Sequence, residues 1–489
     1  MVIQVGMGLL LGPALAMVIG VSPASWASTP SDPTVGQTAT ESAAAAAKLA
    51  KGESQPVGSL QQLDGAAGCV VDKSVKRKNG CAPVRALKSP GPFMGSRAIQ
   101  LSPNGKHVYV ASSKSDAVAV FQRNKRTGVL KQPKGAKGCV AAKGAQGCGK
   151  AIGVDGPNSI ALSPDGRNVY VTSRSSSSLT TFRRNNATGA LTQLPGAAGC
   201  VAGSSVPGCA AGVALVGPDV VEVSPDGKNV YIGSFLGNAV ASFSRSNANG
   251  ALTQLSGTAA CIATATDGCA TGLALKAPEG MAISKDGDTV YVATALSNAV
   301  AVLNRNKSTG ELTQATDGTG CVVDAPLTGC TTGNYLAGAN ALAFSPNGRD
   351  LYATNLISNT LTSFNHYSSG DIGQKNSISG CLADRGSANC RYARAMASPE
   401  GADVSPDGRN VYVTAYATGA VTVLHRNKKN GTVTQLDGRA ACVAGPVVPD
   451  CTKGRALEGV SSVVVSDDGR HVYTTSAGSD AVNIFDRKR

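Results

Sequence analysis

A nine-residue pattern, in which a polar turn precedes alternating apolar residues, recurs along the chain. In residues 163–171 it reads Ser-Pro-Asp-Gly-Arg-Asn-Val-Tyr-Val. Asp-Gly or Asn-Gly between two apolar runs is typical of a β-hairpin. Steps of 60 or 61 residues separate consecutive copies, and so constant a period indicates a repeat architecture. The seven copies begin at Ser102, Ser163, Ser224, Ser284, Ser345, Ser405 and Ser466.

Four short apolar runs separated by turns make up each repeat. In the second copy we assign strand A to residues 158–163, strand B to 168–173, strand C to 179–183 and strand D to 190–194. Four antiparallel strands with tight turns inside the unit and a long connection between units form a blade of a β-propeller. We therefore predict an all-β, seven-bladed propeller of four-stranded antiparallel blades.

The last repeat contains strands A to C and then the chain ends, so its strand D must come from elsewhere. Residues 58–64 (Gly-Ser-Leu-Gln-Gln-Leu-Asp) closely match residues 250–256 (Gly-Ala-Leu-Thr-Gln-Leu-Ser), which lie in strand D of an internal repeat. We predict that this N-terminal strand completes the last blade and closes the ring, which leaves no blade at an open end. The predicted propeller domain covers residues 57–489.

The cysteines indicate a disulfide in every blade. There are 14 cysteines and they form seven close pairs, one per repeat, with none left over. Zinc binding is disfavoured because no pair has two-residue spacing and the chain has only four histidines. Disulfides of this kind persist outside the cytosol. The predicted pairs are Cys69 with Cys81, Cys139 with Cys148, Cys200 with Cys209, Cys261 with Cys269, Cys321 with Cys330, Cys381 with Cys390, and Cys442 with Cys451.

The N-terminal segment indicates export. Residues 2–22 are almost wholly apolar, and Ser25-Trp26-Ala27 places small residues where a signal peptidase cleaves. We predict a signal peptide over 1–27 and a low-complexity linker over 28–56. An N-terminal membrane anchor is the alternative. After cleavage we expect a secreted monomer with no transmembrane span.

The repeat resembles the YVTN-type seven-bladed propellers, whose enzymatic relatives are the lactonase-type, 6-phosphogluconolactonase-like proteins. The resemblance rests on the seven Ser-x-[Asp/Asn]-Gly…Val-Tyr-Val copies and on Ser-Asn-Ala-Val segments such as 297–300, and it covers residues 57–489. It implies the propeller fold and raises the expectation of lactonase activity. These motifs are scaffold elements of the blade, and the disulfide loops differ from the cytosolic enzymes of that family.

No familiar catalytic motif is present. The chain contains no Gly-x-Ser-x-Gly, no His-Glu-x-x-His and no phosphate-binding loop, so no catalytic residue is predicted. Seven of the 11 tyrosines occupy one repeat position, which indicates a packing role. Trp26 is the only tryptophan, which disfavours a lectin-like function based on aromatic stacking.

Six of the seven repeats have an oxygen-bearing side chain at the position that opens strand A. In chain order this position holds Arg97, Asn158, Asp219, Glu279, Asn340, Glu400 and Ser461. We expect it to lie at the mouth of the central channel. The candidate ligand residues are Asp219, Glu279, Asn340 and Glu400, because hard oxygen donors suit Ca²⁺ or a polyhydroxylated ligand. The alternative is a merely polar, solvated ring.

Apolar residues occupy the turns between strands B and C in the same four blades. Clustered exposed apolar side chains favour a partner surface, and packing beneath the disulfide loops is the alternative. These residues are Phe235, Leu236, Leu296, Leu356, Ile357 and Tyr416.

Charge is unevenly distributed. The chain has 45 Lys and Arg against 31 Asp and Glu, and residues 73–150 hold 17 basic residues against one acid, Asp116. The turns between strands A and B and those between strands C and D lie on the face opposite the channel mouth, which we call the lower face. Both sets of turns also contain repeated Lys or Arg. Such a surface favours anionic polymers of the cell envelope. Nucleic acid is disfavoured because the interleaved aromatic residues of single-strand binding are missing.

From these features we predict a secreted, non-catalytic binding or scaffold module for a protein partner or an anionic envelope polymer. The first alternative is a lactonase-like hydrolase with a metal or carboxylate site at the channel mouth, where a metal such as Ca²⁺ would polarise the lactone carbonyl. The second alternative is a lectin-like glycan binder.

Overall fold

The computed structural model describes residues 55–91, 97–266, 268–384, 389–445 and 448–489. The predicted signal peptide and all but the last two residues of the predicted linker lie outside these ranges. Seven β-sheets follow one another along the chain, which confirms the seven-bladed propeller. No helix of the described residues is long and apolar enough to cross a membrane.

Three long strands form the inner part of every blade. Strand A is innermost and pairs with strand B, which pairs with strand C, all antiparallel. The A strands are Ile99–Leu101, Pro157–Leu162, Pro218–Val223, Pro278–Ile283, Ala339–Phe344, Pro399–Val404 and Val460–Val465. The B strands are His107–Ser112, Asn168–Ser173, Asn229–Ser234, Thr289–Thr294, Asp350–Asn355, Asn410–Ala415 and His471–Ser476. The C strands are Ala117–Arg123, Ser178–Arg184, Ala239–Arg245, Ala299–Arg305, Thr360–His366, Ala420–Arg426 and Ala481–Arg487.

The outer part of the blade differs from the predicted single strand D. In the second blade, Gly196 adopts a left-handed conformation (φ +57°) and begins a 3-10 turn, Gly196–Gly199, which divides the outer strand in two. Leu191–Gln193 pairs with one end of strand C and Cys200–Ala202 with the other. After the disulfide loop a sixth strand, Ala210–Ala211, pairs parallel to Cys200–Ala202. The blades are therefore mixed sheets of six strands, not antiparallel sheets of four.

The same outer arrangement recurs in the other blades. The first outer strands are Leu60–Gln62, Leu130–Lys131, Leu252–Gln254, Leu312–Thr313, Ile372–Gln374 and Val433–Gln435. The second are Cys69–Asp72, Cys139–Ala142, Cys261–Ala263, Gly318–Val323, Cys381–Ala383 and Cys442–Ala444. The last are Ala82–Val84, Gly149–Ala151, Ala270–Thr271, Cys330–Thr332, Arg391–Tyr392 and Thr452–Lys453. Further 3-10 turns are Gly65–Ala67, Ser113–Ser115, Gly135–Lys137, Ala145–Gly147, Gly257–Ala260, Ser377–Gly380 and Gly438–Ala441.

The predicted ring closure is present. Leu60–Gln62 and Cys69–Asp72 both pair with Ala481–Arg487, the C strand of the last blade. N-terminal strands therefore complete the blade in which the chain ends.

All seven predicted disulfides form, each with a Cα–Cα distance of 4.7 to 4.9 Å. Each one joins the second outer strand to the segment that leads out of the blade. In the chain-entropy model each loop of this length stabilises the fold by roughly 2–3 kcal/mol. The bonds join Cys69 to Cys81, Cys139 to Cys148, Cys200 to Cys209, Cys261 to Cys269, Cys321 to Cys330, Cys381 to Cys390, and Cys442 to Cys451.

The hydrophobic core lies between blades and is reinforced by a buried tyrosine–arginine contact. Tyr170 of the second blade donates its hydroxyl hydrogen to Gly250 O of the third (2.9 Å) and accepts one from Arg245 Nε (2.7 Å). The Arg245 Nη2 also contacts Asp165. Six of the seven blade boundaries have an arginine at this position.

This contact shows that one part of the prediction of a basic lower face is wrong. The arginines that end strand C are buried and bonded, so they do not contribute to an exposed lower face. The turn between strands A and B does expose basic side chains. The buried residues are Arg123, Arg184, Arg245, Arg305 and Arg426, and the exposed ones are Lys106, Arg167, Lys228, Arg349, Arg409 and Arg470.

Two buried histidines near the lower face make the free energy of unfolding depend on pH. The Nδ1 of His107 accepts a hydrogen bond from Arg184 Nη2 (2.8 Å), and His471 makes the same contact with Arg123 (2.7 Å). Burial first, and then the neighbouring arginine, lowers the pKa of each imidazole from 6.5 to about 4. Between pH 6.5 and pH 4 the histidines are protonated in the unfolded chain but not in the folded protein. The free energy of unfolding therefore decreases as the pH falls from 6.5 towards 4.

Replacing both histidines by Asn, the residue of the equivalent position 168, should therefore remove part of the acid sensitivity. We expect the double variant to gain about 2 kcal/mol or more over the wild type at pH 4.5 and to match it at pH 8. Urea unfolding at the two pH values measures this difference. An equal difference at both pH values would contradict the titration and indicate a packing effect.

Candidate functional site

The residues predicted at the channel mouth lie on β-bulges near the start of strand A. In the second blade the pairing register of strands A and B shifts between Pro157 and Ser159, so Asn158 has no partner opposite. A bulge of this kind redirects one side chain out of the regular alternation. The residues that occupy it in successive blades are Asn158, Asp219, Glu279, Asn340 and Glu400.

Asp219 is fully buried in this ring and is held by two neighbours. Its backbone oxygen accepts a hydrogen bond from Asn158 Nδ2 (3.0 Å), which also contacts the carboxylate. Arg174 Nη1 lies 3.1 Å from Asp219 Oδ2. Burial raises the pKa of Asp219 to about 7, although the Arg174 charge and the Asn158 hydrogen bond oppose the increase. This carboxyl group therefore changes protonation near neutral pH.

Glu279 and Glu400 are buried carboxyl groups with unused oxygen atoms. Their exposed fractions are 1 % and 5 %, and the Oε2 atom of each has no hydrogen-bond partner among the described residues. Burial raises the pKa of both side chains well above 4.5. For Glu279 the charges of Asp219 and Glu400 raise it further, and Arg174 lowers it. We call Asp219, Glu279 and Glu400 the mouth cluster, because they are electrostatically coupled through Glu279.

Asn340 differs from these acids because both polar atoms of its amide form hydrogen bonds within the protein. Its Nδ2 donates to Pro399 O (3.1 Å), and its Oδ1 accepts from Thr354 Oγ1 (2.6 Å). Asn158 makes the equivalent contact with Thr172 (3.2 Å). Within the described ranges no group of three or more His, Cys, Asp or Glu side chains is arranged to hold a metal ion.

The predicted apolar turn residues divide into buried and exposed members. Phe235 is only 9 % exposed; it packs against two alanines, and the Arg174 guanidinium lies 4.3 Å from its ring centre. Tyr416 is 40 % exposed, and its pKa is raised by burial and then by the charge of Glu400. Both aromatic residues therefore lie beside the mouth cluster. The remaining members are Leu236 (56 % exposed), Leu296 (60 %), Ile357 (50 %) and Leu356, which is half-buried.

Further charged residues line the channel, and of these the sequence analysis named Arg97 but missed Glu222 and Asp403. Arg97 of the first blade forms an ion pair with Glu222 of the third. Asp403 is bonded to Val404 N (2.8 Å) and Val465 N (2.7 Å), and burial raises its pKa to about 6. Arg97 and Asp403 line a cavity of about 100 Å³. Glu222 and Asp403 each follow the bulge residue by three positions, and that spacing is the signal that could have identified them.

Comparisons with known proteins agree on the fold, and the similar structures include a putative 6-phosphogluconolactonase from Bacteroides uniformis that is 17 % identical, with a TM-score of 0.50 over 81 % of this chain and 91 % of that one. The model of the lactonase, seven-bladed β-propeller family matches residues 88–144, 145–206, 213–327 and 281–448, which together exceed half of the chain. The periplasmic gluconolactonase of Pseudomonas aeruginosa is 20 % identical, with a TM-score of 0.50 over 78 % of this chain and 93 % of that one. A functionally unknown protein from Desulfotomaculum acetoxidans is 14 % identical, with a TM-score of 0.51 over 77 % and 91 %. No curated protein matches the chain.

Proposed function

The chain belongs to the lactonase, seven-bladed β-propeller family, and from this premise we propose that it hydrolyses a sugar lactone at the mouth cluster. One observation carries the proposal. Glu279 and Glu400 each have a buried carboxyl oxygen with no hydrogen-bond partner among the described residues, and the charges of Arg174 and Asp219 act on Glu279. Unpaired buried carboxyl oxygens are destabilising, and strongly perturbed pKa values concentrate at functional sites.

The chemistry of a lactone fits these groups. Opening a cyclic ester requires a base for the attacking water, stabilisation of the negative charge on the carbonyl oxygen and a proton for the leaving alkoxide. We assign proton transfer to Glu279, because it is coupled to both other carboxyl groups and its pKa is raised. Arg174 would stabilise the developing negative charge, and Glu400 would exchange protons with Glu279.

The charge of the site favours an unphosphorylated substrate. The mouth cluster contributes three carboxyl groups, and Arg174 is the cation that contacts it most directly. A phosphate group would be repelled whenever these carboxyl groups are ionised. We therefore propose a neutral aldonolactone; the structural relatives include both a gluconolactonase and a putative 6-phosphogluconolactonase, so the proposal rests on the charge of the site and not on these names. No step of this scheme requires Ca²⁺, and a chelator should leave the rate unchanged.

The test is the rate of hydrolysis of glucono-1,5-lactone, followed by acid release, with and without a chelator. We expect Glu279→Gln to lower kcat by about 100-fold or more, since general acid–base groups contribute at least that much. Ser461→Ala is the matched control: it changes the same ring position in the last blade, and the rate should change by less than about threefold.

Two results would contradict the proposal. The wild type could fail to exceed the uncatalysed rate on glucono-1,5-lactone and on its 6-phosphate, or Glu279→Gln could keep the wild-type rate. Loss of activity in the chelator would instead support the calcium-dependent form of the hydrolase.

A second candidate function is protein binding at the turns between strands B and C. It is favoured by the exposure of Leu236, Leu296 and Ile357, which lie on three successive blades. The two functions separate in one variant: Leu236→Ser/Leu296→Ser/Ile357→Ser should keep lactone turnover if the mouth cluster is an active site. An inactive wild type with a saturable protein ligand that this variant fails to bind would favour the second function.

We also propose that the protein works outside the cytosol. The support for this is the seven disulfides, with no free cysteine among the described residues, because disulfides typically form and persist in oxidising compartments.

A further inference from the structure

Exposed basic side chains lie on the outer loops of two adjacent blades, the first blade and the last blade, which we call the closing blade because N-terminal strands complete it. Four come from the turn and disulfide loop of the first blade and four from the disulfide loop of the closing blade. All are exposed. The basic rim consists of Lys134, Lys137, Lys143, Lys150, Lys73, Lys76, Arg77 and Lys78.

Arg85 holds the two halves of the basic rim together. Its Nη1 donates to Gln146 O (3.0 Å) and Gly147 O (3.3 Å) in the disulfide loop of the first blade. Its Nη2 donates to Pro133 O (3.2 Å) and Gly135 O (3.1 Å), which flank Lys134. On the closing blade, Lys73 N bonds the residue just before Arg85, at 2.7 Å. The lysine-bearing segments of the two blades are therefore linked through residues 84 and 85.

The positive charge of the basic rim is not neutralised within the fold. None of its eight side chains forms an ion pair with a residue that the structure describes. The nearby acids are used elsewhere. Asp72 accepts from Ser74 and from Leu87 N (3.0 Å), and Asp116 accepts from Gly156 N (2.9 Å). The rim is therefore free to attract an external anion.

The fold does not need these charges. Residues 195–211 of the second blade form the same turn, strands and disulfide loop and contain no charged residue. Lys134 and Lys137 correspond there to Pro195 and Ala198. Like charges that lie close together repel one another and lower stability. Because the fold does not need these charges, their accumulation favours a role in binding an anion.

We propose that the basic rim binds an acidic polysaccharide. Seven of its eight members are lysines, which act as flexible point charges and suit a polymer of variable geometry better than a single bidentate anion. The described residues within 73–150 offer no exposed aromatic side chain, so single-stranded nucleic acid would lack stacking platforms. This surface is separate from the mouth cluster, and its function does not depend on lactone hydrolysis.

The test compares binding of polygalacturonate, dextran sulfate, neutral dextran and single-stranded DNA at 0.15 M salt. We expect both acidic polysaccharides to bind and neutral dextran not to bind. The rim variant Lys134→Ser/Lys137→Ala/Lys143→Asn/Lys150→Ala should weaken binding by about tenfold or more, because it removes half of the eight positive charges of the rim. The two polymers distinguish carboxylate from sulfate recognition.

The control variant removes four exposed basic residues from the lower face: Arg167→Gln/Lys228→Gln/Arg349→Gln/Arg409→Gln. It has the same net charge as the rim variant, so it should bind within about twofold of the wild type if the effect is local. Thermal unfolding checks that both variants fold. Equal weakening in the control, no binding of either acidic polysaccharide, or tighter binding of DNA would each overturn the proposal.

Discussion

Asp350→Asn should destabilise the protein by about 3–5 kcal/mol, because it leaves a buried lysine without its carboxylate partner. Lys375 Nζ lies 2.9 Å from Asp350 Oδ1, and both side chains are buried. Asp350 also forms an ion pair with Arg426, whose Nε contacts Tyr352 (2.7 Å). After the substitution Arg426 can still donate a hydrogen bond to the amide oxygen at position 350, as Arg245 of the third blade does to an asparagine. Lys375, in contrast, loses its only carboxylate partner among the described residues.

The repeat itself supplies the control for this prediction. The positions of Asp350 and Lys375 hold Asn168 and Leu194 in the second blade. Asp350→Asn/Lys375→Leu therefore restores a combination that the chain already tolerates, and we expect its stability to return to within about 1 kcal/mol of the wild type. Lys375→Leu alone should cost about 1 kcal/mol, since Asp350 keeps Arg426. Urea unfolding at pH 7 measures the cycle, and additive effects would show that the pair is not coupled.

The repeat period made the blade count, the disulfide pairs and the ring closure predictable, because each depends on the register of one copy against another. The divided outer strand was not predictable in this way. The run from 191 to 202 reads as one strand with a loop, and only the left-handed Gly196 shows where the pairing stops. Local sequence does not determine which side of such a break continues the sheet.

Side chains that act between blades were harder to interpret. Arg245 ends a strand beside a polar turn, where a solvated arginine is the ordinary expectation, yet it reaches back to Tyr170 of the preceding blade. Gln193 is equally inconspicuous, but its amide bridges blades by bonding both Ile152 N (2.9 Å) and Ile152 O (3.0 Å). These partners are about 40 to 75 residues apart, so no local pattern reveals them.

The sequence predicted which residues form the candidate site but not whether their side chains are buried or exposed. Comparing the repeats identified Asp219, Glu279 and Glu400, because they deviate from one another at a fixed place. The sequence left open whether these residues bind Ca²⁺ or a polyhydroxylated ligand or form a solvated polar ring, and the structure buries all three carboxyl groups. Burial depends on how seven blades close around the channel, and it is the observation from which we propose proton transfer at these groups.

Glu279→Gln/Glu400→Gln should stabilise the protein at pH 8 by about 2 kcal/mol or more, because burying an ionisable group costs several kcal/mol. The pKa of both carboxyl groups is raised well above 4.5 by burial. Below pH 4.5 both groups are protonated in the folded and unfolded chains, so the substitution should have little effect there. As the pH rises, the unfolded chain ionises first and the wild type loses stability that the variant keeps.

Thermal unfolding at pH 4 and pH 8 measures this difference, and the titrations of His107 and His471 cancel because both proteins contain them. A variant that is less stable than the wild type at pH 8 would mean that the glutamates hold the fold together. The combination of higher stability with lost lactone turnover has a different meaning. Residues that weaken the fold persist where function requires them, so this result would identify the mouth cluster as an active site and not as a structural ring.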